Sequence, residues 1–193
     1  MGAKAWSWNT RGLCLETQPG YGLRLGVVSF LSSPDYGAGI LPSVLQQFGN
    51  GGHLAAKTDD PAYTHVGLAY DFEVTFLDTA GQSVAVVIPL PRDLTIPVNT
   101  VWRKYRAVDG WRTFVEDTRN TLHSARRIGD ECPSPVAGVW DEHPGLVEGH
   151  DCARIVLQDG GPNDADRAIN AVVADPGTLA VPVPAEEITV TSS

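Results

Sequence analysis

The sequence has few charged residues and no long apolar run, and these shortages exclude several classes of protein. Charged residues make up only 19% of its 193 residues, whereas an average globular chain has about 25%. Coiled coils and helical bundles, which need Ala, Glu, Lys and Leu at helical spacing, are therefore excluded. With 42% hydrophobic residues, the chain is also too apolar to be disordered. No apolar run approaches the roughly 20 residues of a membrane span, so we expect none in this chain.

Basic residues are scarce as well. The chain has 14 Lys and Arg against 23 Asp and Glu, which gives a net charge of −9. A surface of this sign repels phosphate backbones and anionic lipids, so we expect neither nucleic acids nor membrane surfaces as partners. Divalent cations are favoured instead, because carboxylates in excess of nearby bases can share a hard cation.

Glycine and proline are abundant, with 20 and 14 residues, and they separate short apolar segments by turns. This pattern predicts an all-β fold, an antiparallel β-sandwich with long turn-rich loops and at most one or two short helices. A chain of this length supports one domain. We expect the β-sandwich module to span residues 22–182. Residues 1–21 are predicted to be an N-terminal extension or exchanged strand, and residues 183–193 a C-terminal linker or edge strand.

Alternating apolar residues locate the strands. Residues 70–77 (YDFEVTFL) alternate between apolar and polar side chains, and residues 84–90 (VAVVIPL) are apolar on both faces. The turn between them predicts a hairpin. We favour a second hairpin over a helix for residues 111–127, because their DTRN segment is typical of a turn. Residues 40–48 are predicted to form a short helix. Further strands are predicted at residues 22–31, 100–106, 153–158, 169–174 and 178–183.

Only three cysteines are present, so they cannot all pair within one chain. Cys132 and Cys152 bracket a loop that is rich in proline, glycine and acidic residues and has little core of its own. We predict a disulfide between them, and closing a loop of about 20 residues would stabilise the fold by about 3 kcal/mol in the chain-entropy description. The alternative is two buried thiols in a reducing cytosol. Cys14 is predicted to take no part in this bond.

Catalytic motifs are missing from the sequence. The five histidines fall into no HExxH or other ligand spacing, and no serine lies in a GxSxG turn. No pair of acidic residues stands out as a general acid and base. We therefore expect a protein that is not an enzyme.

One segment has the composition of a ligand site, the acidic loop 159–166 (DGGPNDAD), which follows an apolar strand. Its glycines and proline predict a tight turn, in which several oxygens could converge on one small space. Calcium accepts such a shell of carboxylate and amide oxygens, whereas zinc would need His or Cys. The alternative is an Asx-turn loop whose acids accept hydrogen bonds from their own main chain. The predicted calcium ligands are Asp159, Asn163, Asp164, Asp166 and Asp175.

Several short segments together carry a resemblance to a known family. They are YDFEV at 70–74, VVIPL at 86–90, VWRKY at 101–105, GWRTFVED at 110–117, IVLQDGGPNDAD at 155–166 and VVADPG at 172–177. With the cysteine-bounded loop, they resemble the bacterial choice-of-anchor U domain over about residues 22–182. The resemblance implies a disulfide-tolerant β-sandwich module of exported, surface-associated proteins, without known catalysis and often just before a sorting segment. The family continues its acidic loop with DADG and ANG, whereas this chain has Arg167 and residues 169–171 (INA).

These features predict a non-catalytic, extracellular structural or adhesion-type module of a bacterial surface or secreted protein. Its partners would be other domains of that protein or copies of itself. Residues 1–12 lack the apolar centre and cleavage site of a secretory signal, and no sorting segment is visible, so we expect a mature piece or a fragment.

Two alternative functions remain open. In a self-assembling filament, residues 1–15 or 188–193 would add as a strand to a neighbouring copy. In a carbohydrate-binding module, tryptophan side chains would stack on sugar rings and glycans would be the partners. The candidate stacking residues are Trp102, Trp111 and Trp140.

Overall fold

Two antiparallel β-sheets form the protein, which confirms the predicted all-β sandwich. The computed structural model describes residues 4–6, 14–32, 38–49, 59–106 and 108–184. The strands in these ranges are β1 Lys4–Trp6, β2 Cys14–Thr17, β3 Gly22–Leu25, β4 Gly39–Ile40, β5 Tyr63–Thr75, β6 Ser83–Pro89, β7 Val101–Arg106, β8 Gly110–Thr113, β9 Thr121–Ala125, β10 Cys152–Gln158 and β11 Val173–Pro182. The first sheet has the order β1-β2-β6-β10-β9. The second has the order β3-β5-β11-β7-β8, with β4 paired to β5.

The main core lies between the two sheets. The first sheet contributes aliphatic side chains such as Ile88 and Ile155, and the second contributes Phe72, Trp102 and Leu179. All of these are buried, with exposed fractions of 0% or 1%. Full burial of one large apolar side chain stabilises a fold by about 1.5–3 kcal/mol, so this interior layer holds the two sheets together.

The longest pairing joins β5 and β11. Its register runs from Val173 opposite Val74 to Pro182 opposite Tyr63. On its other side, β11 pairs with β7 through residues 177–180. As a result, β11 lies in the centre of the second sheet and is hydrogen-bonded along both edges.

The two predicted hairpins are wrong, and both for the same reason. Residues 70–77 lie mostly in β5 of the second sheet, whereas residues 84–90 lie in β6 of the first, so the turn between them crosses from sheet to sheet. Residues 111–127 likewise contain part of β8 in the second sheet and β9 in the first. The predicted DTRN turn is present, with Asp117 Oδ1 accepting two main-chain hydrogen bonds at 2.7 and 2.8 Å. Alternation indicates which side chains face the core, but it does not indicate which sheet the next strand joins.

The predicted strand at residues 22–31 is correct only in its first half. β3 ends at Leu25, and Val27–Ser32 forms helix α1. The Ser29 amide donates a hydrogen bond to Asp71 Oδ2 at 2.8 Å. Asp71 lies on β5, so a distant carboxylate supplies the acceptor that the first turn of the helix needs. This tertiary contact overrides the alternating pattern.

Two other predictions concern helix α2 and the start of β11. The predicted short helix at residues 40–48 is confirmed as α2, Pro42–Gly49. The predicted strand at residues 169–174 begins only at Val173. Before it, Arg167 and Ala171 have positive φ angles of 55° and 63°, which interrupt an extended strand.

Within the described ranges, no helix is long and apolar enough to cross a membrane.

Residues before position 22 also contribute to the first sheet. β2 pairs with β6 through Glu16 opposite Val87 and Thr17 opposite Val86, and β1 pairs with β2. Two strands from the predicted extension 1–21 therefore lie in the sandwich of the same chain. The other predicted exchange segment, residues 188–193, lies outside the described residues.

Candidate functional site

Asp159 anchors the acidic loop at the end of β10. Its Oδ2 accepts hydrogen bonds from the amides of Gly81 at 2.7 Å and Ala171 at 2.9 Å. Its Oδ1 accepts a third from the amide of Asn170 at 3.2 Å. A carboxylate with three main-chain donors is well satisfied without a cation, so this side chain ties three loops together.

Asp164 and Asn163 are also hydrogen-bonded to the main chain. Asp164 accepts from the amides of Gly160 at 2.8 Å and Ala174 at 3.0 Å. The Asn163 side chain accepts from the Val115 amide at 2.9 Å and donates to the Val115 carbonyl at 2.8 Å. Both side chains therefore hold the loop against neighbouring segments.

The predicted calcium ligands do not converge on one point. Asp166 is exposed, and its Oδ1 accepts a hydrogen bond from the Ala168 amide at 2.8 Å. Asp175 contacts Lys104 on β7 instead of the loop acids. In the part of the chain that the structure describes, no three His, Cys, Asp or Glu side chains form a group that could hold a metal ion. The hydrogen bonds match the Asx-turn alternative, and a calcium titration distinguishes it from the predicted calcium site.

Lys104 and Asp175 form a buried ion pair between neighbouring strands. Lys104 Nζ contacts Asp175 Oδ1, and their side chains are 5% and 0% exposed. Lys104 lies opposite Gly177 in the β7–β11 register. Asp175 is two residues before Gly177, so it is the diagonal neighbour of Lys104 on the same face. That face points into the sandwich, because Phe72, which lies opposite Asp175 on β5, belongs to the main core.

Two more buried aspartates act electrostatically on Lys104. Burial lowers the pKa of Lys104 well below its ordinary value, against the attraction of Asp164 and Asp71. Burial also raises the pKa of Asp164 to about 6, although main-chain hydrogen bonds oppose this shift. The pKa of Asp71 is raised, chiefly by burial. Lys104 is therefore a buried amine that pairs with Asp175 and is influenced by Asp164 and by Asp71, which lies on the other face of β5, in surroundings that disfavour charge.

Gly177 leaves the space that this pair requires. A Cβ at residue 177 would lie 2.4 Å from Trp102 Nε1 and 3.0 Å from Asp175 Oδ1. Among the described residues, Trp102 Nε1 and Asp175 Oδ2 have no hydrogen-bond partner. A buried polar group without a partner costs about 1–3 kcal/mol, so these two atoms mark an unsatisfied part of the interior.

The opposite face of β7 carries a second ion pair. Arg103 donates to both oxygens of Asp60, at 2.9 Å from Nε and 2.6 Å from Nη2. His65 Nε2 lies 3.0 Å from Asp60 Oδ2, and the guanidinium carbon of Arg103 lies 4.1 Å from the centre of the Tyr63 ring. Both oxygens of Asp60 thus have partners, in contrast to those of Asp175.

The three tryptophans predicted as sugar-stacking residues are buried. Trp102 and Trp140 are 0% exposed, and Trp111 is 9% exposed. Trp102 belongs to the main core, and Trp111 packs on Tyr105 with ring centres 5.1 Å apart. Trp140 Nε1 donates to the Ser134 carbonyl at 2.8 Å. Because a sugar ring needs an exposed aromatic face, internal packing accounts for these three side chains instead.

The predicted disulfide between Cys132 and Cys152 is present, with Cα atoms 5.8 Å apart. It joins the proline-rich loop to the start of β10. Trp140 lies in the 3₁₀ helix Gly138–Glu142 and packs in a small cluster with Cys152 and Val87. The disulfide and this tryptophan together attach the loop to the first sheet.

Lys104 is the site residue that sequence reasoning missed. A usable signal was present, because Trp102 and Lys104 share one face of the alternating segment 101–105 (VWRKY). Lysine is almost never fully buried unless it is paired, so its position beside a core tryptophan predicts an acidic partner. The identity of that partner, 71 residues further along the chain, depends on strand pairing that the sequence does not reveal.

Comparisons with known proteins identify no relative, so the class of this protein is described from its fold and its interior. No protein-family model, curated protein or solved structure matches the chain. The structure itself defines a two-sheet antiparallel sandwich with a disulfide-attached loop and a lysine–aspartate pair in its interior. The resemblance to the choice-of-anchor U domain stays a prediction.

Proposed function

We propose that the chain is a non-catalytic structural module of a bacterial surface or secreted protein, and that it carries mechanical tension through β11. The position of this strand is the observation that carries the proposal. β11 is the last described strand of the chain, yet it lies in the centre of the second sheet, between β5 and β7. A pull on the chain after residue 184 therefore acts along a strand that is held on both edges.

Tension along a central strand loads many hydrogen bonds together. β11 is paired with β5 over its whole length and with β7 through residues 177–180. A force parallel to the strand shears both ladders, so their bonds must fail together. A force that peels one strand away from its end breaks the same bonds one after another. The arrangement thus favours resistance to pulling at the C-terminal side.

The disulfide supports an extracellular location. Disulfides persist in oxidising compartments and are rare in the reducing cytosol, and Cys132–Cys152 fixes a loop with a small core of its own. The resemblance of residues 22–182 to the choice-of-anchor U domain points to the same location, since it implies exported, surface-associated proteins. Other domains of the parent protein would then be the partners that transmit tension.

Force spectroscopy with two handle positions tests this function. One handle follows Pro184 in both geometries. In the shear geometry the other handle is at Asp78, beyond the C-terminal end of β5, and in the control it is at Ala62, beside the N-terminal end. Both Asp78 and Ala62 are exposed. Because Tyr63 pairs with Pro182, the control peels β5 from β11, whereas the shear geometry pulls the ladder at opposite ends.

The shear geometry is expected to unfold at a clearly higher force at the same loading rate. Handles attached through non-cysteine chemistry keep the native disulfide intact. Equal unfolding forces in the two geometries would contradict the proposed mechanical role of β11. The location has its own readout, because labelling of Cys132 and Cys152 as free thiols in protein recovered from its native cells, with thiols blocked at lysis, would contradict an oxidising environment.

A further inference from the structure

We propose that Lys104 and Asp175 become joined by a covalent amide bond between Nζ and Cγ, which cross-links β7 and β11 inside the sandwich. This modification goes beyond the structural role proposed above and does not depend on it, because the bond would exist whether or not the module carries tension. The chain would then contain two internal cross-links, the disulfide and this amide.

The geometry brings the two reacting groups together. Lys104 Nζ contacts Asp175 Oδ1, and both side chains are buried on the inner face of the second sheet. Their strands are adjacent and antiparallel, with Gly177 opposite Lys104. Because Gly177 has no side chain, the carboxyl oxygen of Asp175 that faces Lys104 diagonally across the ladder is not crowded by a Cβ. The sheet therefore holds the amine and the carboxyl in fixed proximity, which favours a reaction between them.

The surroundings suit an amide better than two charges. A buried ion pair is stable only when further hydrogen bonds satisfy its remaining atoms, and Asp175 Oδ2 has no such partner within the described residues. The ion pair between Arg103 and Asp60 on the other face differs from it, because both carboxylate oxygens of Asp60 accept hydrogen bonds. Amide formation removes one oxygen of Asp175 and both charges, so the interior would be left with a neutral group.

The reaction needs no other reactant. The Nζ lone pair attacks Cγ of Asp175, one C–O bond breaks, and that oxygen leaves as water. Starting from the ammonium and the carboxylate, the nitrogen gives two of its three protons to the departing oxygen and keeps one. Atoms and charge therefore balance within the pair, and nothing is oxidised or reduced.

Asp164 acts more strongly on Lys104 electrostatically than Asp71 does, and its hydrogen bond to the main chain of β11 suits it to assist the reaction. It is buried, it attracts Lys104, and its Oδ1 accepts a hydrogen bond from the amide of Ala174, the residue before Asp175. Burial raises the pKa of Asp164 to about 6, so this group can take up and release a proton near neutral pH. Burial also lowers the pKa of Lys104, which favours the neutral amine that acts as the nucleophile. Asp164 is therefore a positioning residue of the reaction.

The mass of the intact chain tests the proposal directly. The purified full chain is denatured, its disulfide is reduced, and its mass is compared with the mass calculated from the sequence. The expected mass is lower by one water molecule. A mass equal to the calculated one would overturn the proposal, and this result requires no variant to fold.

Succinimide formation at an Asp–Gly step also removes one water and must be separated from the amide. The chain has such steps at Asp109–Gly110 and Asp159–Gly160. Alkaline hydroxylamine opens a succinimide but leaves an amide intact. A mass deficit that persists after this treatment is expected, and a deficit that disappears would overturn the proposal.

Digestion with trypsin locates the bond. Because trypsin does not cleave after an acylated lysine, the expected product is a branched peptide in which residues 104–106 are joined to residues 168–193. Its fragmentation should assign the link to Lys104 and Asp175. Recovery of residues 168–193 only as a linear peptide of full mass would overturn the proposal.

Variants test whether the loss of water depends on the two reacting groups or on neighbouring residues. Lys104→Arg keeps the positive charge but cannot form the amide under these conditions, so it should show the full calculated mass. Arg103→Lys is the matched control on the opposite face and should show the same water loss as the parent. Asp164→Asn should accumulate unreacted chain, and Asp164→Glu should restore part of the water loss. Equal water loss in Lys104→Arg and the parent would overturn the assignment.

Discussion

The amide of Ser29 donates a hydrogen bond to the carboxylate of Asp71, 42 residues away along the chain, at 2.8 Å. Ser29 lies in the first turn of α1, where main-chain amides have no acceptor within the helix. Asp71 lies on β5 and is buried. One residue of a distant strand therefore caps the first turn of this helix.

Removing this carboxylate should destabilise the fold. Asp71→Ala is expected to lower the free energy of unfolding by about 1–2 kcal/mol, the usual loss for a helix-capping side chain. Asp71→Asn keeps an acceptor oxygen and should lose less. Arg24→Gln is the control, because it removes a surface ion pair whose arginine is 64% exposed and should cost at most about 1 kcal/mol. Urea unfolding measures all three, and an Asp71→Ala loss no larger than the control would contradict the role of Asp71.

The disulfide should contribute measurably to thermal stability. Replacing both Cys132 and Cys152 by serine is expected to cost about 3 kcal/mol, the entropy of closing a loop of this length. For a domain of this size the melting temperature should then fall by about 6–12 °C. Calorimetry with and without reductant checks this. The double variant should not respond to reductant, whereas a parent protein that is equally unresponsive would refute the prediction.

Asp164 should give the protein a particular pH dependence. Its pKa is about 6 in the folded state, above the ordinary value of about 3.9, so the folded state binds this proton more tightly. The resulting stabilisation is complete below about pH 4 and is lost as the pH rises through about 6. The unfolding free energy of the parent minus that of Asp164→Asn should therefore fall across this range, by about 1–2 kcal/mol after allowance for solvent screening. A difference that is constant with pH would show that Asp164 titrates normally.

Gly177 should tolerate no side chain. In Gly177→Ala the new Cβ would lie 2.4 Å from Trp102 Nε1 and 3.0 Å from the Arg103 carbonyl oxygen, and overpacking of this kind costs about 1–3 kcal/mol. Gly138→Ala is the matched control, because a Cβ there meets no atom within 4 Å. Chemical denaturation should show a clear loss for the first variant and little change for the second. Equal stabilities of the two variants would contradict the close packing of Trp102 against Gly177.

A calcium titration separates the two interpretations of the acidic loop. A bound ion at 100 times its dissociation constant would stabilise the fold by about 2.7 kcal/mol, and Asp164→Asn combined with Asp166→Asn would abolish this response. The carboxylates of Asp159 and Asp164 already accept main-chain hydrogen bonds, so we expect equal melting curves in calcium and in chelator. A higher melting temperature in calcium, for protein first shown to be metal-free, would establish the calcium site instead.

The sequence predicted the fold class, helix α2 and the disulfide, because each depends on a local pattern. Turn residues at short intervals are enough to indicate a β-sandwich, and Pro42 and Gly49 lie at the two ends of α2. The pairing of strands was not predictable in the same way. Residues 70–77 and 84–90 both face one core from opposite sheets, and their apolar patterns do not distinguish this arrangement from the two strands of a hairpin.

The candidate site was only partly predictable for a related reason. The acidic loop is visible as a run of acids and glycines, but its carboxylates are directed to amides of distant segments such as Gly81. Asp175 is close to that loop in sequence, whereas its contact is Lys104 on β7. Long-range register decides which charges meet, and alternation carries no information about register between strands that are far apart in the chain.

The central position of β11 also has a consequence for the order of folding. The second sheet has a gap between β5 and β7 until residues 173–182 are available, and Val173 pairs with Val74 across about half of the chain. Because the connections β5–β6 and β8–β9 both cross between sheets, they do not form local hairpins that could fold early. Domains dominated by such distant contacts fold slowly. A nascent chain of this topology cannot complete its second sheet until β11 has been synthesised, so complete folding must follow the synthesis of residues 173–182.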